Sequence, residues 1–205
     1  MVTRTTKRRP ETRARLEAAA LEAFSELGFH GASIRDICSR AGYTRGAFYS
    51  NFASKDELFF ALFDAHADRS LARLSALAER RDEPSPTIEQ IVEVLAYVSP
   101  EERVWYLIST EFTLHAIRVP EAARRLAAYD RKLRLRLSDA IASLLHGVGL
   151  TLAVDVDRLA RSLVAVREGA LAQSYVEPDE IPPGTIERWC VPALIRDATA
   201  PAAPR

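Results

Sequence analysis

Apolar residues recur at every third or fourth position along most of the chain, the spacing of one helical face. Leu16, Ala20, Phe24 and Leu27 share such a face, which predicts a helix over 10–27 with Gly28 as its stop. Ser33, followed by Ile34 and by Asp36 three residues later, reads as the cap of a short helix over 34–40. Gly42 breaks that helix, and Thr44 caps another that reaches about Phe52. A longer helix starts at Ser54, carries Asp56 and Glu57 in its first turn, where the helix dipole favours acids, and runs to about residue 81. The polar, proline-bearing stretch 82–87 interrupts the pattern. Helical periodicity resumes over 87–98, 101–118, 120–146, 155–176 and 185–197, with breaks at Pro100, Pro120, 146–149 and 177–184. Strand-like alternation is nearly absent. The expected fold is all-α, with about nine helices.

Two short helices joined by a glycine-bearing turn make a helix-turn-helix. Gly42 supplies the residue that tolerates positive φ. Cys38, four residues earlier, is small enough for the close crossing of the two helices. Ile34, Ile37, Ala41 and Phe48 then form the shared apolar wedge, with Phe24 of the first helix beneath it. What is left over on the second short helix is polar: Thr44, Arg45, Tyr49 and Ser50. A major groove admits such a helix, and an arginine there can pair bidentately with guanine.

The segment GFHGASIRDICSRAGYTRGAFYSNFASKDEL, residues 28–58, resembles the DNA-binding signature of the TetR family of bacterial regulators, those similar to the tetracycline repressor. The likeness spans roughly residues 11 to 60, with small, apolar, turn and polar positions agreeing together. It implies a homodimer of nine-helix subunits, usually a repressor that a small molecule releases from a palindromic operator in double-stranded DNA. It implies that Thr44 and Tyr49 touch phosphates or thymine methyls, that Gly46 lets the backbone approach the groove, and that Asn51 and Lys55 meet phosphates. Ser33 and Arg35 are candidates for the opposite strand, and Arg4, Lys7, Arg8 and Arg9 for further backbone or the minor groove. Two departures stand out. Cys38 occupies a position where alanine is commoner, which raises the question of thiol chemistry. Ser50 and Asn51 replace larger basic or imidazole side chains, so operator contacts differ in detail.

The domain organisation expected is a basic arm over 1–9, a DNA-binding domain over 10–53, a helical ligand-binding and dimerisation domain over 54–198, and a frayed tail over 199–205. Charge distribution supports it. Net charge is zero over 205 residues, yet residues 1–55 hold ten Lys/Arg against five Asp/Glu, and the other 150 carry the matching acidic surplus. A basic head on an acidic body suggests a polyanion partner for the head alone. Cys38 and Cys190 are far apart and lack metal-ligand spacing. No apolar run follows the basic N-terminus, and none approaches a membrane span. A cytoplasmic protein is expected.

The body holds aromatics with a few polar companions, the usual make-up of a small-molecule site. Phe63, Tyr97, Trp105, Phe112, His115 and Tyr129 are the candidates to line a site for an apolar or aromatic effector. Glu111 and His115 lie one turn apart, but no third residue completes a metal site. No nucleophile–base pair and no phosphate-cradling loop is visible, so neither enzyme activity nor a cofactor is expected. In the last two helices Leu159, Leu163, Val166, Arg167, Ala170, Trp189 and Ala193 are the expected dimer contacts, with Arg167 pairing across subunits. Two other readings stay open: a helical small-molecule-binding protein or enzyme with a remnant DNA-binding unit, and a regulator that activates or responds to no small molecule.

Overall fold

The computed structural model describes residues 8–78 and 86–201, with only the backbone of Arg8. Residues 1–7 of the expected arm and most of the 82–87 connection lie outside the described residues, while Arg8 and Arg9, expected in the arm, already belong to the first helix. Among those described, the chain forms nine helices and two three-residue strands: α1 Arg8–Gly31, α2 Ile34–Ala41, α3 Arg45–Tyr49, α4 Lys55–Ala78, α5 Ile88–Ala96, α6 Glu102–Arg118, α7 Pro120–Gly147, β1 Leu150–Leu152, α8 Val156–Val176, α9 Thr185–Ala198 and β2 Thr199–Pro201. No described helix is long and apolar enough to cross a membrane.

The chain resolves into two units. One runs to His66 and takes in Leu107–Leu126; the other comprises Ala67–Tyr106 and the residues from Ala127 onward. The first unit therefore holds α1 to α3, the first half of α4, and most of α6. Its centre is aromatic and aliphatic: Leu16, Phe24, Phe29, Ile37, Phe48, Phe52, Phe59 and Phe112 are almost completely buried. The Phe59 and Phe112 rings stack with centroids 4.1 Å apart and planes within 7°, and Phe29 meets both edge-on at 5.5 and 5.0 Å. Burying such rings stabilises the unit by about 2 kcal/mol each.

The second unit is built on aliphatic packing among Leu71, Ile91, Ile141, Leu144, Leu159, Leu163 and Val191. Here the structure corrects two expectations. The tail does not fray from residue 199: β2 pairs antiparallel with β1, Leu150 opposite Pro201 and Leu152 opposite Thr199. And Leu159, Leu163 and Ala170, expected at a dimer contact, are 2%, 7% and 1% exposed within the single subunit. The apolar stripe they form faces the subunit's own core.

Candidate DNA-binding interface

The head is positioned by caps that its sequence makes possible. Ser33 caps α2: its hydroxyl accepts from Asp36 N–H, and the Asp36 carboxylate accepts from Ser33 N–H. The Ser33 hydroxyl also donates to the Asp36 carboxylate at 2.5 Å, and that bond first and the backbone N–H bond second hold the Asp36 carboxyl below the usual range. Gly42 ends α2 at φ 72°, ψ 31°, the left-handed region that glycine reaches without strain. Its N–H and that of Tyr43 return to the carbonyls of Ser39 and Cys38. Thr44 caps α3, its Oγ1 accepting from Ala47 N–H at 3.2 Å. Ile37, Cys38, Ala41 and Phe48 are buried and make the wedge between the two helices. Burial pushes the Cys38 thiol up, against a smaller opposing pull from Arg45. A buried protonated thiol is a packing group, not a nucleophile.

On the outer side of α3, Thr44, Arg45, Gly46, Tyr49 and Ser50 are all exposed. Tyr49 presents 52% of its surface while its ring rests edge-on against Phe48 at 5.4 Å, which fixes its direction. A Cβ on Gly46 would meet nothing nearer than the Thr44 hydroxyl at 3.7 Å, so the space above it is open. Ser33 and Arg35 are exposed at the start of α2. Ser50 bonds back to the Gly46 carbonyl through its hydroxyl, and its own carbonyl accepts from Arg9 at 3.3 Å. Arg9 thus ties the start of α1 to the end of α3. Arg4 and Lys7 lie outside the described residues.

Two expected phosphate contacts are placed differently. The Asn51 amide folds back on its own helix, Nδ2 donating to the Ala47 carbonyl at 2.8 Å with Oδ1 buried. Lys55 is half-buried. Its ammonium donates to the carbonyls of Phe29 at 2.6 Å and Ala32 at 2.9 Å, and stands 4.5 Å from the Phe29 ring centroid. Burial lowers its pKa, with Asp56 opposing. These carbonyls close the end of α1, so Lys55 is a helix-terminating cation reaching in from α4. Neighbouring cations are also engaged inside the head. Arg40 holds Glu26 through two bonds at 3.1 and 2.6 Å, and Arg13 lies over the Phe52 ring at 4.4 Å.

The six expected effector residues divide between the units. Phe63, Phe112 and His115 belong to the first. Phe112 is fully buried in the aromatic centre, Phe63 stacks on Phe59 at 5.5 Å, and His115 lies 4.9 Å from His30 and 6.2 Å from Phe29. Phe112 and His115 meet at 5.9 Å, and Phe63 is linked to Phe112 through Phe59. Tyr97, Trp105 and Tyr129 belong to the second unit. Trp105 is 3% exposed, and Tyr97, 46% exposed, has the Arg73 guanidinium 4.8 Å over its ring.

Arg167 also departs from expectation. It pairs inside the subunit, with Glu187 at 3.0 Å, Glu102 at 3.2 Å and the Tyr97 carbonyl at 3.0 Å. Val166 is half-buried, while Ala193 is exposed and Trp189 is 67% exposed. The faces left open are Ala165, Gly169 and Val176 on α8 and Trp189 and Ala193 on α9. Gly169 and Val176 are not among the expected contacts, since neither extends the leucine stripe of α8.

Known proteins place this geometry. Residues 16–62 match the model of bacterial regulatory proteins of the tetR family, and residues 84–196 match that of the BetI-type transcriptional repressor C-terminal domain. The probable HTH-type transcriptional regulator ArpR of Pseudomonas putida is 29% identical over 198 residues, 92% of each chain. The Salmonella enterica GusR structure superposes with a TM-score of 0.70 at 24% identity, covering 95% of this chain and all of that one. A transcriptional regulator from Rhodococcus sp. Rha1 does so with a TM-score of 0.66 at 25% identity, covering 91% and 97%. With a reading helix exposed on a capped helix-turn-helix and both halves matched, the chain belongs to the TetR family and is a DNA-binding transcriptional regulator.

Proposed function

We propose that this regulator is a dimeric repressor that reads a palindromic operator with α3 and leaves it when a small apolar or aromatic molecule binds the C-terminal helices. The observation that carries the reading is the outer side of α3. Arg45 and Tyr49 project from a five-residue helix whose other side, through Phe48, is locked in the core. Arg45 takes a guanine, Thr44 and Tyr49 take phosphate or thymine methyl, and Ser33 and Arg35 take the facing strand. Asn51 and Lys55 hold the head together and are not counted among the DNA contacts.

Dimerisation is supported by the open faces of α8 and α9. Val176 at 78% and Trp189 at 67% exposure are costly for an isolated subunit in water. To read a palindrome on one face of the duplex, the two reading helices of such a dimer must lie about 34–36 Å apart, one turn of DNA. The effector is supported by the aromatic content of the second unit, where Trp105, Tyr129, Tyr106 and Tyr175 accompany Tyr97. Operator and effector affinities are then reciprocally linked.

The test begins by selecting duplexes from a random pool with the purified protein. Arg45→Ala should retain the wild-type melting temperature and lose about 1–3 kcal/mol of discrimination between selected and random duplex. An unchanged discrimination ratio removes Arg45 from the reading set. A panel of flat aromatic compounds, followed by tryptophan fluorescence, tests the effector. A compound that quenches the wild type but not Trp105→Ala should also weaken binding to the selected duplex.

A further inference from the structure

The turn between α1 and α2 is held from two sides through a single residue. Gly28 breaks α1 at φ 71°, ψ 166°. The next residue is held on both sides of its Cα: Phe29 N–H donates to Glu111 Oε2 of α6 at 2.6 Å, and the Phe29 carbonyl accepts from Lys55 of α4 at 2.6 Å. The fit at Gly28 is tight. A Cβ there would lie 2.6 and 2.8 Å from the two Glu111 oxygens, so the carboxylate approaches the backbone only because the residue is glycine. The Phe29 ring, 2% exposed, is buried against Phe112 of the same α6. One turn further along α6, His115 meets His30 at 4.9 Å. Three consecutive contact positions of α6 therefore fall on residues 28–30, immediately ahead of the Ser33 cap that starts the helix-turn-helix.

We propose that Glu111 is a positioning residue that couples α6 to DNA reading through its bond to Phe29 N–H. The proposal rests on the reading of α3 as the DNA contact and goes beyond it by naming the joint. A charge-assisted bond to a backbone N–H is short and directional, so it resists both sliding and rotation of α6 against the turn. α2 starts five residues after Phe29, and α3 is locked to α2 by the Phe48 wedge, so a displaced turn carries the reading helix with it. α6 is one helix from Glu102 to Arg118, and its first residues belong to the second unit. Coupling of this kind acts in both directions: DNA on α3 stiffens α6, and a change in α6 alters DNA affinity.

Hydrogen exchange of the full chain, with and without a duplex selected from a random pool, tests this without a known effector. In the wild type the duplex should slow exchange in α3 and, by about tenfold, in residues 107–118. In Glu111→Ala, and in Glu111→Met, which keeps the side-chain length without an acceptor, α3 should still be protected while the slowing at 107–118 disappears. Glu111→Gln keeps a carbonyl oxygen for Phe29 N–H and should restore most of it, which a purely packing role for residue 111 would not produce. The proposal is overturned if α6 of the wild type ignores the duplex, if the Ala or Met variant responds like the wild type, or if Gln loses the response as completely as Met. A pool that yields no bound duplex overturns the DNA reading itself, a different result from a bound duplex that leaves α6 unchanged.

Discussion

Removing the Lys55 ammonium leaves the carbonyls of Phe29 and Ala32 without their donor at the end of α1. Hydrogen bonds to a charged group contribute about 1.5–3 kcal/mol, so Lys55→Ala should lose about 2 kcal/mol and melt several degrees lower. The slope of DNA affinity against salt should stay at the wild-type value. A normal melting temperature with a shallower slope would return Lys55 to the phosphates. Gly28→Ala joins a left-handed backbone to a collision with Glu111, and a melting curve should show a loss of more than about 2 kcal/mol. At this scale the sequence was readable where a residue acts on its near neighbours. Gly42, Ser33, Thr44 and Cys38 sit as spacing predicts, because caps and turns are local. Lys55 was not readable, because its acceptors lie 23 and 26 residues away. Asn51 turned inward because its own helix offered the Ala47 carbonyl one turn back.

Helices in the second unit are registered by charge as well as by packing. Arg167 of α8 stands between Glu102 of α6 and Glu187 of α9, with side chains 22%, 11% and 2% exposed. Arg167→Ala removes the guanidinium that the buried Glu187 carboxylate pairs with and should lose about 3–5 kcal/mol, measured by denaturant unfolding. A loss below about 1 kcal/mol would show that water already screens the cluster. The exposed pairs behave differently. Glu26 is held below its ordinary value by Arg40, Glu93 by Arg188, and Asp157 by Arg161, while Asp36 is held there by Ser33. For a depressed carboxyl the stabilisation is fully present above the unfolded value, 4.5 for Glu or 3.8 for Asp, and is lost as pH falls through the lower folded value. Melting temperature should therefore drop as pH is taken below about 4.5, and Glu26→Gln should flatten that part of the curve. Helix positions followed from periodicity to within a few residues. Which side of α8 turns inward did not, since Leu159, Leu163 and Ala170 make one apolar stripe and Ala165, Gly169 and Val176 offer another. Tertiary packing chose between them: the two leucines went into the core together with Ala170, and Ala165, Gly169 and Val176 were left outside.

For the whole molecule, the exposed surface of α9 sets the expected assembly. Trp189→Asp places a charge on the open face without touching the subunit core, so the fold should persist while sedimentation shifts from dimer to monomer. A dimer that survives the substitution would move the contact off α9. The basic head and acidic body predicted DNA at one end, and the helix-turn-helix carried that reading because some thirty residues constrain one another. The effector residues were less legible, since an aromatic side chain on a helix satisfies a core as readily as a cavity. Phe112, stacked on Phe59, is such a case.

The three-residue ladder between Leu150–Leu152 and Thr199–Pro201 has a practical corollary. It joins the two ends of a segment about fifty residues long, so α8 and α9 sit in a closed loop whose knot is tied by the last described residues. Shortening that loop's ends is topologically an opening. A truncation at residue 198 would release β1 from its only described strand partner and let the last turn of α9 unwind. A bulky fusion after residue 201 would pull on the same stitch. Tags for purification or display therefore belong at the other terminus when the α8–α9 pair is the object of measurement.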